Sequence, residues 1–120
     1  MGRIVVIEDD PHIAEVLRDL LEGTGHAVTV ATSVEELPPP DSYDAVITDL
    51  LAVPAYETGR ARAWLDTLRA RYRGARMLLV TGHSEAADDG PETLGIDAVV
   101  RKPFRIDQIE SLVAGLLQAS

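Results

Sequence analysis

IVVIEDDPHI, residues 4–13, passes from strand to helix within one short stretch. The segment Arg3 to Glu8 is a continuous branched-apolar run that ends in acid, the pattern of a parallel strand buried on both faces whose carboxyl end emerges at a polar site. Asp10 then offers a side-chain oxygen to the free amides of a helix start, and Pro11 has its backbone fixed for the first helical position. Ile13, Val16, Leu17, Leu20 and Leu21 recur at helical spacing until Gly23 closes the segment.

Outward from that unit the alternation repeats. Ala27 to Ala31 reads as a second strand, and Ser33 to Leu37 begins a second helix that Pro38, Pro39 and Pro40 must stunt. Tyr43 to Thr48 is a third strand, again ending on an acid, Asp49. A loop containing Pro54 and Gly59 leads into a helix from about Arg60 to Tyr72, with Ala61, Trp64, Leu65, Leu68 and Tyr72 on one face. Arg76 to Val80 is a fourth strand ending at Thr81 and Gly82. Ser84 to Leu94 should be helical by its place in the alternation, although Gly90 and Pro91 interrupt it. Asp97 to Val100 gives a fifth strand ending at Lys102 and Pro103, and a last helix carries Ile106, Ile109, Leu112, Val113, Leu116 and Leu117 inward. This rhythm implies right-handed crossovers and an α/β, doubly wound parallel sheet covered on both faces. The whole chain, residues 1–120, is expected to form a single domain without a linker.

Composition narrows the function. A formal charge of −9 repels phosphate backbones and argues against direct nucleic-acid binding and anionic membranes. The chain has no cysteine, which excludes disulfides, thiolate metal sites and cysteine nucleophiles. The apolar runs are too short to cross a bilayer and no secretory signal opens the chain, so a soluble, cytoplasmic protein is expected. Lys102 is the single lysine among basic residues that are otherwise all arginine, a hint that ammonium chemistry is wanted there.

In doubly wound sheets functional groups collect beyond the carboxyl ends of the strands. Glu8 and Asp9 follow the first strand, Asp49 the third, Thr81 the fourth and Lys102 the fifth, so all should meet in one cleft. Carboxylates in close quarters raise one another's pKa unless a cation intervenes, and a hard divalent ion such as Mg2+ meets that need. A hydroxyl and an ammonium opposite the acids would then hold phosphoryl oxygens, because phosphoryl transfer depends on positioning and on neutralising spread-out charge.

IVVIEDDPHI, the aspartate of YDAVITDL, Thr81-Gly82 in LLVTGHS and Lys102-Pro103-Phe104 together resemble the receiver domain of two-component response regulators, in order and nearly in spacing over the whole chain. No single motif is specific; their conjunction at strand ends is. The resemblance implies a flavodoxin-like five-stranded sheet of order 2-1-3-4-5. It implies that Asp49 is the phosphoacceptor, that Glu8, Asp9, Asp49 and the backbone carbonyl of Leu51 hold Mg2+, and that Thr81 and Lys102 contact the phosphoryl group. Such a protein is a signalling switch that assists its own phosphorylation and dephosphorylation. Its partner is a sensor histidine kinase or phosphotransfer protein, and a homodimer through the terminal strand and helices follows by analogy. A cis Lys102-Pro103 bond is also expected. The chain reads as a stand-alone regulator or a receiver cut from a longer protein.

Plainer readings stand beside these. Asp10 is better read as a helix cap than as a ligand; Thr81 has a rival reading as an ordinary β-branched strand end, and Lys102 one as a surface lysine, although its place before Pro103 at a strand end favours the site. Trp64 and Tyr72 read as packing, and the arginines from Arg60 to Arg76 as a solvated helix face. Gly23 and Gly25 follow a helix, so they form a cap and turn and not a dinucleotide loop. His12, His26 and His83 lack metal-ligand spacing, though His83 sits at the cleft rim. The alternative functions are a pseudo-receiver binding module and a Mg2+-dependent phosphohydrolase. Leu51, where the common aspartate-based phosphatases carry a second acid, counts against the latter.

Three departures from the family pattern bear on output. Pro54 lies five residues after Asp49 where the family places it four after, which alters the loop LLAVPAYETG. Val99 occupies the position of the switch aromatic, and a valine cannot swing as a ring does. The Gly90-Pro91 break falls in a helix that commonly belongs to the output face, which with the fifth strand and last helix would form the two-state surface.

Overall fold

The computed structural model describes residues 2–51, 53 and 55–118; Pro54 therefore lies outside the described residues. Five strands, β1 (Arg3–Ile7), β2 (Ala27–Ala31), β3 (Ala45–Thr48), β4 (Arg76–Thr81) and β5 (Ala98–Arg101), form one parallel sheet in the order β2-β1-β3-β4-β5. Four α-helices cover it: α1 (Pro11–Gly23), α2 (Thr58–Arg71), α3 (Ser84–Leu94) and α4 (Ile106–Gln118). The stunted second helix is a single 3₁₀ turn, Val34–Glu36, stopped ahead of the three prolines.

The strand sequences account for both layers of core. Along β1, Ile4 and Val6 face one side while Val5 and Ile7 face the other, and all four are fully buried. Ile4 and Val6 join Ile47, Leu78 and Val80 beneath Leu17 and Leu21 of α1 and Ile109 and Val113 of α4. Val5 and Ile7 join Val46, Met77 and Leu79 beneath Leu65 and Leu68 of α2 and Ala86 and Leu94 of α3. A strand buried on both faces needs apolar side chains at every position, which is why these runs are continuous and not alternating.

Helix boundaries follow from local chemistry. The Asp10 carboxylate accepts the amides of His12 and Ile13 at 2.9 and 3.3 Å, so Asp10 is a cap. Within α3, Gly90 takes φ 81° and ψ 166°, and Pro91 starts the turn after the break, where its missing N–H is tolerated. Gly90 thereby breaks the helical path, so that α3 is two short helical segments meeting at a kink. Three sequence expectations need correction. Val16 and Ile106 are 45% and 54% exposed, so they lie on the flanks of their apolar stripes. Arg71 is half-buried and engaged: its guanidinium donates to the Pro38 carbonyl at 2.8 Å, beside the Tyr72 hydroxyl, which donates to the same carbonyl at 2.6 Å. The proline run is thus held by its carbonyl, the one backbone hydrogen-bonding group a proline retains.

The strand order places the site. From β1 the chain crosses outward to β2 and then returns to the opposite side of β1 as β3. Connections therefore leave the carboxyl ends of β1 and β3 in opposite directions, opening a crevice between them. Ile7 pairs with Thr48 in that register, so Glu8 and Asp49 leave the sheet side by side.

Candidate functional site

Glu8, Asp9 and Asp49 each bring a carboxylate oxygen to within 4.8 Å of the others. Among the described residues no other cluster of three metal-ligating side chains is this close. The three differ in setting: Glu8 is buried, Asp9 exposed and Asp49 intermediate. Lys102 reaches across from the end of β5, its Nζ 2.7 Å from Glu8 Oε2 and 2.7 Å from Asp49 Oδ2. Its backbone is tied to β4, the Lys102 amide donating to the Thr81 carbonyl at 2.9 Å; the Lys102-Pro103 bond is cis, as expected.

The pKa shifts reveal which partner bears the cost. Burial pushes the Glu8 carboxyl above its ordinary value, and hydrogen bonds from Lys102 and the Asp10 amide offset this only in part. Burial also works against the Lys102 charge, but hydrogen bonds to Asp49 and Glu8 outweigh it and the ammonium is held above its ordinary value. Lys102 is therefore firmly charged, whereas the surroundings of Glu8 work against its charged form. The donor set suits a hard cation: three carboxylates, all oxygen, with one of them open to water, match what Mg2+ prefers.

Asp49 is fixed from several directions. Its amide donates to the Ile7 carbonyl at 2.8 Å, and its Oδ1 accepts the Leu50 amide at 2.7 Å. Its carbonyl accepts the Trp64 indole N–H at 2.9 Å and the Thr48 hydroxyl at 2.6 Å. Leu51, whose carbonyl the sequence reading includes among the ligands, follows with its side chain buried. Thr81 is fully buried at the end of β4, and its Oγ1 accepts the His83 amide at 3.2 Å. A Cβ built on Gly82 would meet nothing within 4 Å, so the chain beside Thr81 leaves open space. The structure thus joins Glu8, Asp9, Asp49 and Lys102 directly, while the Thr81 hydroxyl is engaged with its own loop.

Two contacts escape the sequence reading. Trp64, read as packing, touches the backbone of Asp49. Tyr56 and Thr58 donate to Asp89 Oδ2 at 2.5 and 2.7 Å, tying the segment after Asp49 to α3 across about thirty residues. The Tyr56 ring lies 5.9 Å from that of His83. Burial, followed by the hydrogen bond to Asp89, pushes the Tyr56 hydroxyl up to about 12. The only sequence signal for these contacts is a polar-tipped aromatic near each end of the stretch that follows Asp49. Beside Lys102 a cleft of about 450 Å³ is lined by Ala87, Val99, Arg101 and Gln108. Val99 there is partly buried against the core, and no ring occupies its position.

Comparisons with known proteins agree with this architecture. No family model matches the chain. The transcriptional regulatory protein TcrA of Mycobacterium tuberculosis is 31% identical over 116 residues; the match covers 89% of this chain, which spans 42% of the length of that relative. The non-phosphorylated HemR receiver domain of Leptospira biflexa superposes with a TM-score of 0.79 at 22% identity, covering 100% of this chain and 97% of its own. The response regulator TrrA of Thermotoga maritima, solved in complex with Mg2+ and BeF, gives a TM-score of 0.74 at 28% identity, with 97% and 99% coverage. The fold matches that of response-regulator receiver domains, with the strand order and two-sided helical cover expected of it.

Proposed function

We propose that this receiver fold is a phosphoacceptor switch in which Asp49 takes a phosphoryl group from a phosphohistidine of a sensor kinase or phosphotransfer protein. The observation that carries the reading is the meeting of Glu8, Asp9 and Asp49 with Lys102 at the crevice between β1 and β3. In the transfer, an Asp49 oxygen forms a bond to phosphorus as the phosphorus–nitrogen bond breaks. The freed imidazole keeps the electron pair and takes up a proton. Glu8, Asp9, Asp49 and the Leu51 carbonyl would hold Mg2+, which supplies positive charge to the phosphoryl oxygens and relieves the repulsion among the acids.

This chain's own residues do the rest. Leu50 N–H orients one Asp49 oxygen and Lys102 neutralises the other. In the phosphorylated protein Lys102 and the Thr81 hydroxyl bind phosphoryl oxygens, the hydroxyl donating its proton while its oxygen stays able to accept the His83 amide. Movement of Thr81 towards the phosphoryl group would draw the loop after β4 inward through that same contact and bias α3.

Incubation with acetyl phosphate and Mg2+, read by intact mass, tests the reading. The wild type should gain one phosphoryl group and Asp49→Ala none. No gain on the wild type, or an undiminished gain on Asp49→Ala, defeats it. Sustained turnover of phosphomonoesters would point instead to a phosphohydrolase.

A further inference from the structure

Trp64, the chain's one tryptophan, stands on α2, fifteen residues beyond Asp49. It is only partly buried, yet its indole N–H is turned under the end of β3, 2.9 Å from the Asp49 carbonyl and 3.1 Å from Thr48 Oγ1. The Thr48 hydroxyl donates to that same carbonyl at 2.6 Å, so two donors converge on one oxygen.

That oxygen belongs to the peptide joining Asp49 to Leu50. A peptide unit is planar and its C=O and N–H point in opposite directions, so fixing the oxygen fixes the direction of the N–H. The N–H in question is that of Leu50, which donates to Asp49 Oδ1 at 2.7 Å. The contacts therefore form one series, from indole N–H to carbonyl and from amide N–H to carboxylate. Hydrogen bonds linked in this way polarise one another, each strengthening the next. Lys102 holds the other carboxylate oxygen at 2.7 Å, so the Leu50 amide is what sets the rotation of the carboxyl group about the Lys102 contact.

We infer that Trp64 is a positioning residue for Asp49, acting through the Asp49-Leu50 peptide. The inference rests on the reading of Asp49 as the reacting group. A buried indole N–H commonly finds some acceptor for its own sake. Here the acceptor is the carbonyl of the one residue whose carboxylate is to react, and the far end of that peptide binds the carboxylate itself.

The test replaces the donor and keeps the shape. Trp64 is exchanged for 3-benzothienylalanine, whose ring has sulfur in place of the N–H, and in parallel by Trp64→Phe. In the benzothienyl protein the Leu50 amide proton should move upfield and exchange with solvent faster, while amides of β4 stay unchanged. Labelling of Asp49 by acetyl phosphate should slow by about tenfold at saturation with the half-saturating concentration unchanged, the signature of a misaligned nucleophile and not of weakened binding. An unmoved Leu50 amide, or labelling at the wild-type rate, overturns the inference. Should the wild type take up no phosphoryl group, the proposed function falls, and the Leu50 amide alone still decides whether Trp64 orients the carboxylate.

Discussion

Replacing Lys102 by methionine removes the only ammonium from a cleft that holds Glu8 and Asp49 within 4.8 Å of each other. Two unit charges at that distance repel by about 3.5 kcal/mol at an effective dielectric of about 20. An independent ceiling comes from protonation. Glu8 can escape the repulsion by binding a proton, and at pH 7 this costs a carboxyl with an ordinary value of 4.5 about 3.4 kcal/mol. The two figures coincide, and the apolar methionine stem and water around the exposed Asp9 reduce both. Lys102→Met should therefore destabilise the fold by about 2–3 kcal/mol at neutral pH.

The sign of the pH dependence follows from the same argument. With the ammonium gone, the Glu8 value rises further in the folded state, so the folded protein binds a proton that the unfolded chain releases. Its stability relative to wild type then improves as pH falls from 7 towards 4.5, by up to about 1.4 kcal/mol per unit. Mg2+ should also stabilise the variant more than the wild type, because the acids no longer share an internal cation. Urea unfolding at pH 7, 6 and 5, with and without Mg2+, measures each part. A deficit that does not vary with pH, or an equal response to Mg2+ in both proteins, would refute the electrostatic account.

Other outcomes are expected from single features. Since burial raises the Glu8 carboxyl, its contribution to stability is complete below 4.5 and is lost as pH rises through the folded value; Glu8→Gln should thus melt higher than wild type at pH 7, lose that advantage near pH 4, and bind Mg2+ more weakly by calorimetry. Gly90→Ala places a side chain where φ is 81° and ψ is 166° with no atom nearby to clash, so it should cost about 1–3 kcal/mol through backbone strain alone, visible in urea unfolding. One tyrosine should resist ionisation until about pH 12 in an absorbance titration, and Tyr56→Phe should remove that phase. The stability linked to that hydroxyl is complete below its ordinary value of 10.0 and is lost as pH rises through about 12.

Much of the fold was legible because its signals are local and repeated. The continuous apolar runs demand burial on both faces, and the Asp10-Pro11 pair marks a helix start from neighbouring residues alone. The three prolines forbid a full second helix for the same local reason. Val16 and Ile106 were misread because helical spacing fixes an angle around the axis but not how far a neighbouring element extends to cover it. The interruption of α3 at Gly90 and Pro91 was legible as well, since a glycine free to take positive φ followed by a residue without an N–H breaks the helical ladder locally.

At the site, the acids at the tips of β1 and β3 could be anticipated because strand order brings them together. The unequal settings of Glu8 and Asp9 could not, because side-chain direction decides which acid turns inward. Trp64 and Tyr56 were opaque for a related reason. Each contact joins residues far apart in the chain through a single polar atom on a ring otherwise suited to packing.

The tie from Tyr56 and Thr58 to Asp89 has a mechanical consequence. Asp89 is the last residue before the bend at Gly90, so the carboxylate held by Tyr56 and Thr58, which follow β3, sits at the kink of α3. A displacement of Tyr56 would bear on the kink itself and not on a continuous rod. Valine stands at position 99, so any such pull would reach the outer helix without a ring turning there.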